Sequence, residues 1–306
     1  MKPAALRILA ATDLSGPARH AVERAFSLAA VTGSELHILH AMELDNLNSL
    51  REMLGGDVSA VKKAISSDAQ ARLTHLTGNA AIHRGVNART HIAEGNPLTT
   101  IAAEADRLDP ALVVLGARGE SFLRHSLLGS TSARLLRKSS SRPVLVVKQA
   151  PHEAYRSVMV TVDFSQASIQ AIRLARQWAP DADFILLHAF QLPFEAKLTI
   201  AGVDERVIRQ HIALEAEVLR QRLHDLAATA GLQEMEYTAR IVHGDPTQQI
   251  MTLEQEFDAD LIIIGKHGAH IAEELLLGSV TKHVLAESQC DVLVICDTNH
   301  APEQLP

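Results

Sequence analysis

Cysteine is almost absent from the sequence. The 306 residues include two, Cys290 and Cys296, and both fall in the stretch CDVLVIC, which is typical of a strand. In an extended strand they would lie about 20 Å apart, which is too far for a disulfide between them. A chain without a disulfide framework is typical of a reducing compartment, and we therefore expect a cytoplasmic protein.

Long apolar runs and an excess of positive charge are also absent. No uninterrupted apolar segment approaches the about 18 residues that indicate a transmembrane helix, and the N-terminal stretch MKPAALRILAATDLS has no apolar leader. We therefore expect neither secretion nor a membrane partner. Lysine and arginine number 29 against 36 acidic residues, a net charge of -7. Because nucleic-acid binding depends on clustered cations, this balance disfavours a nucleic-acid partner.

Aromatic side chains are scarce, at 3%, whereas apolar residues as a whole make up 47% of the chain. Alanine, leucine, valine and isoleucine carry this apolar content, as in short buried parallel strands flanked by amphipathic helices. A usual size of about 100 to 200 residues per domain favours two domains. The composition thus predicts a globular α/β protein of two domains.

The two halves of the sequence repeat each other. The stretch GNPLTTIAAEADRLDPALVVLGARGESFLRHSLLGSTS, which starts at Gly95, aligns without a gap on GDPTQQIMTLEQEFDADLIIIGKHGAHIAEELLLGSVT, which starts at Gly244. Near the front of each half, RILAATDLSGPARHAVERA resembles SVMVTVDFSQASIQAIRLA, which pairs Asp13 with Asp163. We therefore predict one domain over residues 1–150 and a second over residues 155–306, joined by the linker QAPHEAY.

Each half shows strands that alternate with helices. The runs RILAAT, ELHILHA, ARTHIAE, ALVVLG and VLVVK predict five strands in the first half, covered on both faces as in a parallel sheet. Before the third strand of each half, apolar residues recur at three- and four-residue steps and predict an amphipathic helix. These residues are Val58, Val61, Ile65, Ala69, Leu73 and Leu76 in the first half and Val207, Ile208, Ile212, Leu219, Leu223 and Leu226 in the second. The alternation predicts a doubly wound parallel sheet in each half.

A glycine motif follows the fourth predicted strand of each half. It consists of Gly-x-x-Gly, nine residues and a Gly-Ser pair, at Gly116, Gly119, Gly129 and Ser130 in the first half and at Gly265, Gly268, Gly278 and Ser279 in the second. Glycines let the backbone approach a ligand closely, and a helix start offers free amide groups at the positive end of the helix dipole. The motif predicts an anion site, in which the hydroxyls of Ser130, Ser132, Ser279 and Thr281 bind phosphate oxygens or cap the helix.

This doubled motif, with Asp13 and Asp163 at the end of the first strand of each half, resembles the universal stress protein family over nearly all of both halves. The resemblance implies an adenine nucleotide α-hydrolase-like fold with strand order 3-2-1-4-5 and two halves packed as a pseudo-twofold pair. It also implies binding of an adenine nucleotide, which is ATP or else ADP or AMP, with or without Mg²⁺. No Walker loop is present that would indicate a P-loop enzyme.

The resemblance further implies which residues hold the nucleotide. Thr12 and Asp13 would lie beside the ribose or adenine, and the backbone of Ala41 would contact the adenine edge. Ribose and phosphates would be held by Gly116, Arg118, Gly119, Gly129, Ser130, Thr131 and Ser132. The counterparts in the second half are Val162, Asp163, Ala189, Gly265, His267, Gly268, Gly278, Ser279, Val280 and Thr281. On its own, Asp13 reads equally well as a turn or helix-capping residue, and its pairing with Asp163 favours binding.

Sixteen histidines raise the alternative of a metal site. His37 and His40 are three apart on a predicted strand and therefore point to opposite faces. His40 and His188 occupy matching positions, so we predict a packing or hydrogen-bonding role for them and no bound metal. Glu273 and Glu274 have no nucleophile beside them, and we predict no catalytic residue.

Three functions remain open at this point. The leading one is an ATP-binding regulatory protein of the stress response with little or no turnover, whose occupancy sets a conformation or an assembly state such as a homodimer. Such a protein would act on an unidentified regulatory protein partner. The second is an ATP-using enzyme of the adenine nucleotide α-hydrolase-like group, such as a slow ATPase or kinase. The third, a scaffold with vestigial pockets, is disfavoured by the intact motifs in both halves.

The loops inside the two motifs differ in charge. The first carries Arg118, Glu120 and Arg124, and the second carries Lys266, Glu273 and Glu274. A triphosphate is attracted by the first set and meets an additional carboxylate in the second. We therefore expect the first site to bind ATP more tightly.

Overall fold

The structure is a computed structural model, and it describes residues 6–44, 58–117, 129–138, 142–268 and 277–296. The chain divides into two compact units, Met1–Ala154 and Tyr155–Pro306. The division falls within the stretch QAPHEAY, which the sequence suggests as a linker.

In its described part, the first unit is a parallel sheet with helices in its connections. Its strands are β1 (Arg7–Ala11), β2 (Glu35–Met42), β3 (Ala88–Glu94), β4 (Leu112–Gly116) and β5 (Val144–Val147). Its helices are α1 (Gly16–Thr32), α2 (Val58–Gly78), α3 (Ala80–His83), α4 (Pro97–Leu108) and α5 (Ser130–Lys138). The strands pair in the order β3-β2-β1-β4-β5. The predicted strands and their 3-2-1-4-5 order are confirmed.

The described part of the second unit repeats this plan. Its strands are β6 (Ser157–Thr161), β7 (Asp183–Phe190), β8 (Tyr237–His243), β9 (Leu261–Gly265) and β10 (Asp291–Ile295). Its helices are α6 (Gln166–Trp178), α7 (Glu195–Ile200), α8 (Glu205–Ala230), α9 (Pro246–Glu256) and α10 (Ser279–Glu287), with a 3₁₀ turn at Glu234–Glu236. The parallel order β8-β7-β6-β9-β10 is again 3-2-1-4-5.

Capping residues in the sequence fix where several helices begin and end. The hydroxyl of Ser15 accepts the amide of Ala18 at the start of α1, and Gly33 ends that helix in the left-handed conformation. Asn96 and Asp245 cap α4 and α9 with their side-chain oxygens, and each is followed by a proline in the first turn. Both of these caps follow the third strand of their unit. The two halves therefore start the matching helices in the same way.

Burial follows the strand order. The residues of β4 and β5 are buried except Gly116 at the end of β4, whereas β3 at the sheet edge has no buried residue. The prediction that ARTHIAE is covered on both faces was therefore wrong. An edge strand pairs on one side only, and its polar residues remain in contact with water.

The long helices α2 and α8 also differ from prediction in one respect. The C-terminal parts of both are buried as predicted, with Leu73 and Leu223 fully inaccessible. Two residues of the predicted stripes near the helix starts are exposed instead: Val61 is 43% and Val207 is 55% exposed, whereas Ile208 beside Val207 is buried. The apolar period identifies a buried stripe, but it does not decide which of the residues near the helix start reach the core.

The structure also bears on membrane-spanning helices and on the two cysteines. Along the described ranges, no helix is both long and apolar enough to cross a membrane. Cys290 and Cys296 are buried, form no disulfide and directly flank β10 on its two sides.

Candidate functional site

The strand order brings the ends of two strands together in each unit. β1 pairs directly with β4, and β6 pairs with β9. Ligands of open α/β sheets bind at the carboxyl ends of such neighbouring strands, where the chain connections diverge to opposite faces. Asp13 follows β1 and Gly116 ends β4, so the two motifs that are distant in sequence meet at one edge.

A cavity of about 860 Å³ lies at this edge in the first unit, and we call it the first pocket. It is lined by eight of the ten residues that the resemblance nominates for this half: Thr12, Asp13, Ala41, Gly116, Gly129, Ser130, Thr131 and Ser132. The other two, Arg118 and Gly119, lie outside the described residues. So do Glu120 and Arg124 of the same loop.

The second unit has a cavity of about 290 Å³ at the matching place, the second pocket. All ten nominated residues line it: Val162, Asp163, Ala189, Gly265, His267, Gly268, Gly278, Ser279, Val280 and Thr281. Lys266 is not among the lining residues and is only 2% exposed. The charge of Lys266 was counted toward the second site, but the next residue along the chain, His267, lines the pocket and Lys266 does not. Glu273 and Glu274 lie outside the described residues.

Hydrogen bonds fasten the helix start to the strand end in both units. The amide of Gly129 donates to the carbonyl of Ala117, and the hydroxyl of Ser132 donates to the carbonyl of Gly116 at 2.8 Å. In the second unit, the hydroxyl of Thr281 donates to the carbonyl of Gly265 at 2.7 Å. The sequence suggested that these two hydroxyls bind phosphate or cap the helix. In this structure they hold the strand and the helix start together, and their binding of a phosphate stays a prediction.

Two glycines of the second motif lie where no side chain fits without displacement. A Cβ atom on Gly265 would come within 3.0 Å of the carbonyl oxygen of His267, and one on Gly278 within 3.3 Å of that of Lys266. At Gly268 a Cβ atom would meet no atom within 4 Å. Gly265 and Gly278 therefore serve close backbone packing, whereas Gly268 faces open space.

The two aspartates combine a local and a pocket-facing role. Asp13 accepts the amide of Ser15 in a turn and lines the first pocket. Asp163 accepts the amide and the hydroxyl of Ser165 and, at 2.7 Å, the hydroxyl of Ser168. The side chain of Asp13 therefore stabilises a turn and also lines the pocket.

The residue after each aspartate has a strained backbone. Leu14 has φ of 63° and Phe164 has φ of 62°, in the left-handed region that side chains other than glycine seldom adopt. Such a conformation costs about 1–3 kcal/mol and persists where the surroundings impose it. It turns the chain sharply, so that the aspartate stays at the pocket while the next helix starts.

His40 and His188 make the same hydrogen bond in the two units. Each Nδ1 lies within 2.9 Å of the backbone carbonyl of the residue before the aspartate, Thr12 or Val162. This confirms their predicted hydrogen-bonding role. Burial lowers the pKa of His188, and nearby Arg222 lowers it further, against the opposing effect of the Val162 carbonyl.

Several lining residues were missed at the sequence level. Asn96 and Pro97 line the first pocket and Pro246 lines the second, in each case just after the third strand. The Gly-x-Pro that precedes α4 and α9 appears in both halves of the repeat and could have indicated them. Arg134, one turn into α5, also lines the first pocket, and no signal in the sequence distinguished it from the other arginines.

The described residues hold no group of three or more His, Cys, Asp or Glu side chains placed to bind a metal ion. His37, considered as a ligand with His40, lies 3.0 Å from Nε2 of His91 through its Nδ1. The two histidines of the predicted pair thus have different partners.

Comparison with known proteins matches the universal stress protein family twice along this chain, over residues 5–148 and 154–295. A universal stress protein of Mycobacterium tuberculosis is 28% identical over 249 residues, which cover 77% of this chain and 70% of the relative. A crystal structure of a universal stress protein from Archaeoglobus fulgidus superposes with a TM-score of 0.65 at 21% identity, covering 95% of this chain and 98% of that one. A Pseudomonas aeruginosa protein described as functionally unknown superposes with a TM-score of 0.64 at 20% identity, covering 96% and 94%. The chain therefore belongs to the universal stress protein family, as a tandem member with two copies of the domain.

Proposed function

We propose that this protein is an adenine-nucleotide-binding regulatory protein of the stress response, with ATP in the first pocket and little or no catalytic turnover. The observation that carries the proposal is the convergence, in both units, of an aspartate, a glycine-ended strand and a helix start on one cavity. Residues 100 or more positions apart meet there in the same arrangement twice.

The lining residues supply both kinds of contact that a nucleotide needs. At one end, Asp13 offers a carboxylate that accepts the hydroxyl groups of a ribose, beside the half-buried Ala41 at the end of β2. At the other end, Ser130 and Thr131 open α5, whose first amide groups and dipole favour an anion. Arg134 adds a positive charge at this end.

The cavity volume also agrees with this ligand class. Small-molecule pockets measure about 300–1,000 Å³, and the first pocket, at about 860 Å³, lies within that range. In the second unit, the backbone packs tightly around Gly265 and Gly278. A Cβ atom at either position would push against backbone oxygens at the strand–helix junction.

Mass spectrometry of the small molecules released from the denatured, purified protein tests this proposal. We expect an adenine nucleotide in an amount comparable to the protein. Equilibrium dialysis with ATP should then show binding, and steady-state hydrolysis should stay below roughly one turnover per second, the low end of ordinary enzyme rates. Faster hydrolysis would favour an ATPase, and the absence of any binding would refute the proposal.

A further inference from the structure

The two pockets share a plan but differ about threefold in size, at about 860 and 290 Å³. The second value lies at the lower bound of the range of about 300–1,000 Å³ that is usual for ligand sites.

Beyond the end of the second strand, the two pockets have different surroundings. The first pocket continues past the end of β2 along Met42, Glu43, Leu44 and Ile65. In the second unit, the ring of Phe164 lies 4.5 Å from that of His188, and the guanidinium of Arg222 covers it at 4.3 Å. Phe164 also packs against the cluster of Phe190 and Leu192. The matching residue of the first unit is the smaller Leu14, which packs against the cluster of Met42, Leu44 and Ala69.

The walls of the second pocket are also less polar. Val162 stands where the first pocket has Thr12, and Val280 stands where it has Thr131. The carboxylate of Asp163 is half-buried and already accepts three hydrogen bonds from Ser165 and Ser168. Two hydroxyl groups are thus replaced by methyl groups at matched positions.

Positive charge is distributed unequally between the pockets. Arg134 lines the first pocket, and its counterpart one turn into α10 is His283, which is bonded to the carbonyl of Ser279 and does not line the second. Of the described residues around the second pocket, none is lysine or arginine, and the titratable ones are Asp163, His188 and His267. Phosphate groups are costly to remove from water unless cations or several donors replace the water.

We propose that the second pocket selects a purine nucleoside without a polyphosphate tail, whereas the first selects the nucleoside triphosphate. This inference rests on the proposed function, because it assumes that the shared plan binds an adenine ligand in both units. A base and a ribose need one apolar slot and few polar partners, and the second pocket offers that combination. The protein then binds two chemically different ligands, one in each unit.

Matched variants that fill one pocket at a time test the proposal in the full-length protein. Ala41 and Ala189 occupy matching positions at the ends of β2 and β7, and each lines its own pocket. Ala41→Leu leaves the second pocket open, and Ala189→Leu leaves the first open. Titration calorimetry with ATP and with adenosine should show that Ala41→Leu binds adenosine at least about tenfold more tightly than ATP, and that Ala189→Leu shows the opposite preference.

Removal of a positive charge from the first pocket provides the second arm and does not require either leucine variant to fold. In the otherwise unchanged chain, Arg134→His should weaken ATP binding about two- to tenfold, as expected for one charge some 6–8 Å from the phosphates at an effective dielectric of 40–80. Adenosine binding should not change in this variant.

The outcomes separate the two levels of the argument. If Ala41→Leu binds ATP as tightly as adenosine, or if wild type binds two equivalents of ATP with equal affinity, the selectivity proposal is overturned while nucleotide binding stands. If neither ligand binds to wild type, the proposed function itself is overturned.

Discussion

The aspartate that ends the first strand is the residue at which the local and the ligand-binding interpretations compete. Asp13 forms a turn with the amide of Ser15, which any sequence of this local type would do, and it also lines the first pocket. We expect Asp13→Ala to weaken ATP binding at the first pocket about 10- to 150-fold, because a lost hydrogen bond to a charged group costs about 1.5–3 kcal/mol. Fluorescence titration with a labelled ATP analogue measures the change.

Asp106→Ala is the matched control for this substitution. This substitution removes the same charge from the same unit. Asp106 lies on the surface of α4, where it pairs with Arg142. The binding interpretation requires a loss of affinity in Asp13→Ala and none in Asp106→Ala. Equal affinities in the two variants, with native circular dichroism spectra, would assign Asp13 to the turn alone.

The glycines of the second motif give a prediction on stability. Gly265→Ala should destabilise the protein by about 1–3 kcal/mol, since its Cβ atom would come within 3.0 Å of the carbonyl oxygen of His267. Gly268→Ala is the control, because the same atom there would meet nothing within 4 Å. Urea unfolding of both variants measures the difference, and equal midpoints would contradict the packing argument.

Residue types were easier to predict from this sequence than residue roles. The doubled motif located the pocket residues because glycines and aspartates recur at one offset in both halves. The direction of the Ser132 and Thr281 hydroxyls could not be predicted, because it depends on the distance between a strand end and a helix start that sequence does not contain. The same holds for Lys266, whose neighbour His267 faces the pocket instead.

At the level of elements, a chain of titratable side chains joins β2, β3 and α4. Nδ1 of His37 lies 3.0 Å from Nε2 of His91, and Nδ1 of His91 lies 3.4 Å from Glu104. Nε2 of His37 lies 3.8 Å from the carboxylate of Glu35. Burial lowers the pKa of His37 below its ordinary value of 6.5, the charges of His91 and Arg89 lower it further, and Glu35 opposes them.

This chain makes the stability of the first unit depend on pH. Because the folded state holds the pKa of His37 below the unfolded value of 6.5, the folded state favours the neutral ring. The contribution is complete above that value and is lost as pH falls through the lower folded pKa. We expect the free energy of unfolding to decrease on acidification from neutral pH, and to decrease less in His37→Gln.

Urea unfolding at a series of pH values, followed by circular dichroism, checks this expectation. His75→Gln is the control, since His75 lies exposed on α2 of the same unit and should leave the pH dependence unchanged. If His37→Gln and His75→Gln have the same slope against pH, the cluster does not govern the acid response.

Helices and strands were predicted well wherever burial is continuous. The strands β1, β2 and β4 are apolar runs flanked by turn residues, and their ends agree with the sequence to within one residue. The short helices α3 and α7 were not predicted, because pieces of four and six residues carry no full apolar period. Their formation depends on how the chain returns to the edge strand.

At the scale of the whole molecule, the fifth strand of each unit affects how one half of the chain behaves when it is expressed alone. In the order 3-2-1-4-5 the fifth strand has one partner within its own sheet, and β5 consists of Val144, Leu145, Val146 and Val147. An apolar edge of this kind favours pairing with another strand. We expect residues 1–150, expressed alone, to dimerise or to be poorly soluble.

Sedimentation velocity of the isolated half tests this expectation. A fragment that is a stable monomer would contradict the expected pairing of the halves as a pseudo-twofold pair.

The positions of the two cysteines make the rate of thiol labelling a measure of local opening in the second unit. Both thiols are 5% exposed or less, and both lie in the second unit, at the two ends of β10. β10 is bonded along its length to β9, which ends at Gly265 in the second pocket. A thiol-reactive dye should therefore label the unmodified protein only as fast as that strand opens, and a ligand in the second pocket should slow the labelling while one in the first should not. The opening of the second unit can thus be followed separately from that of the first without introducing a cysteine.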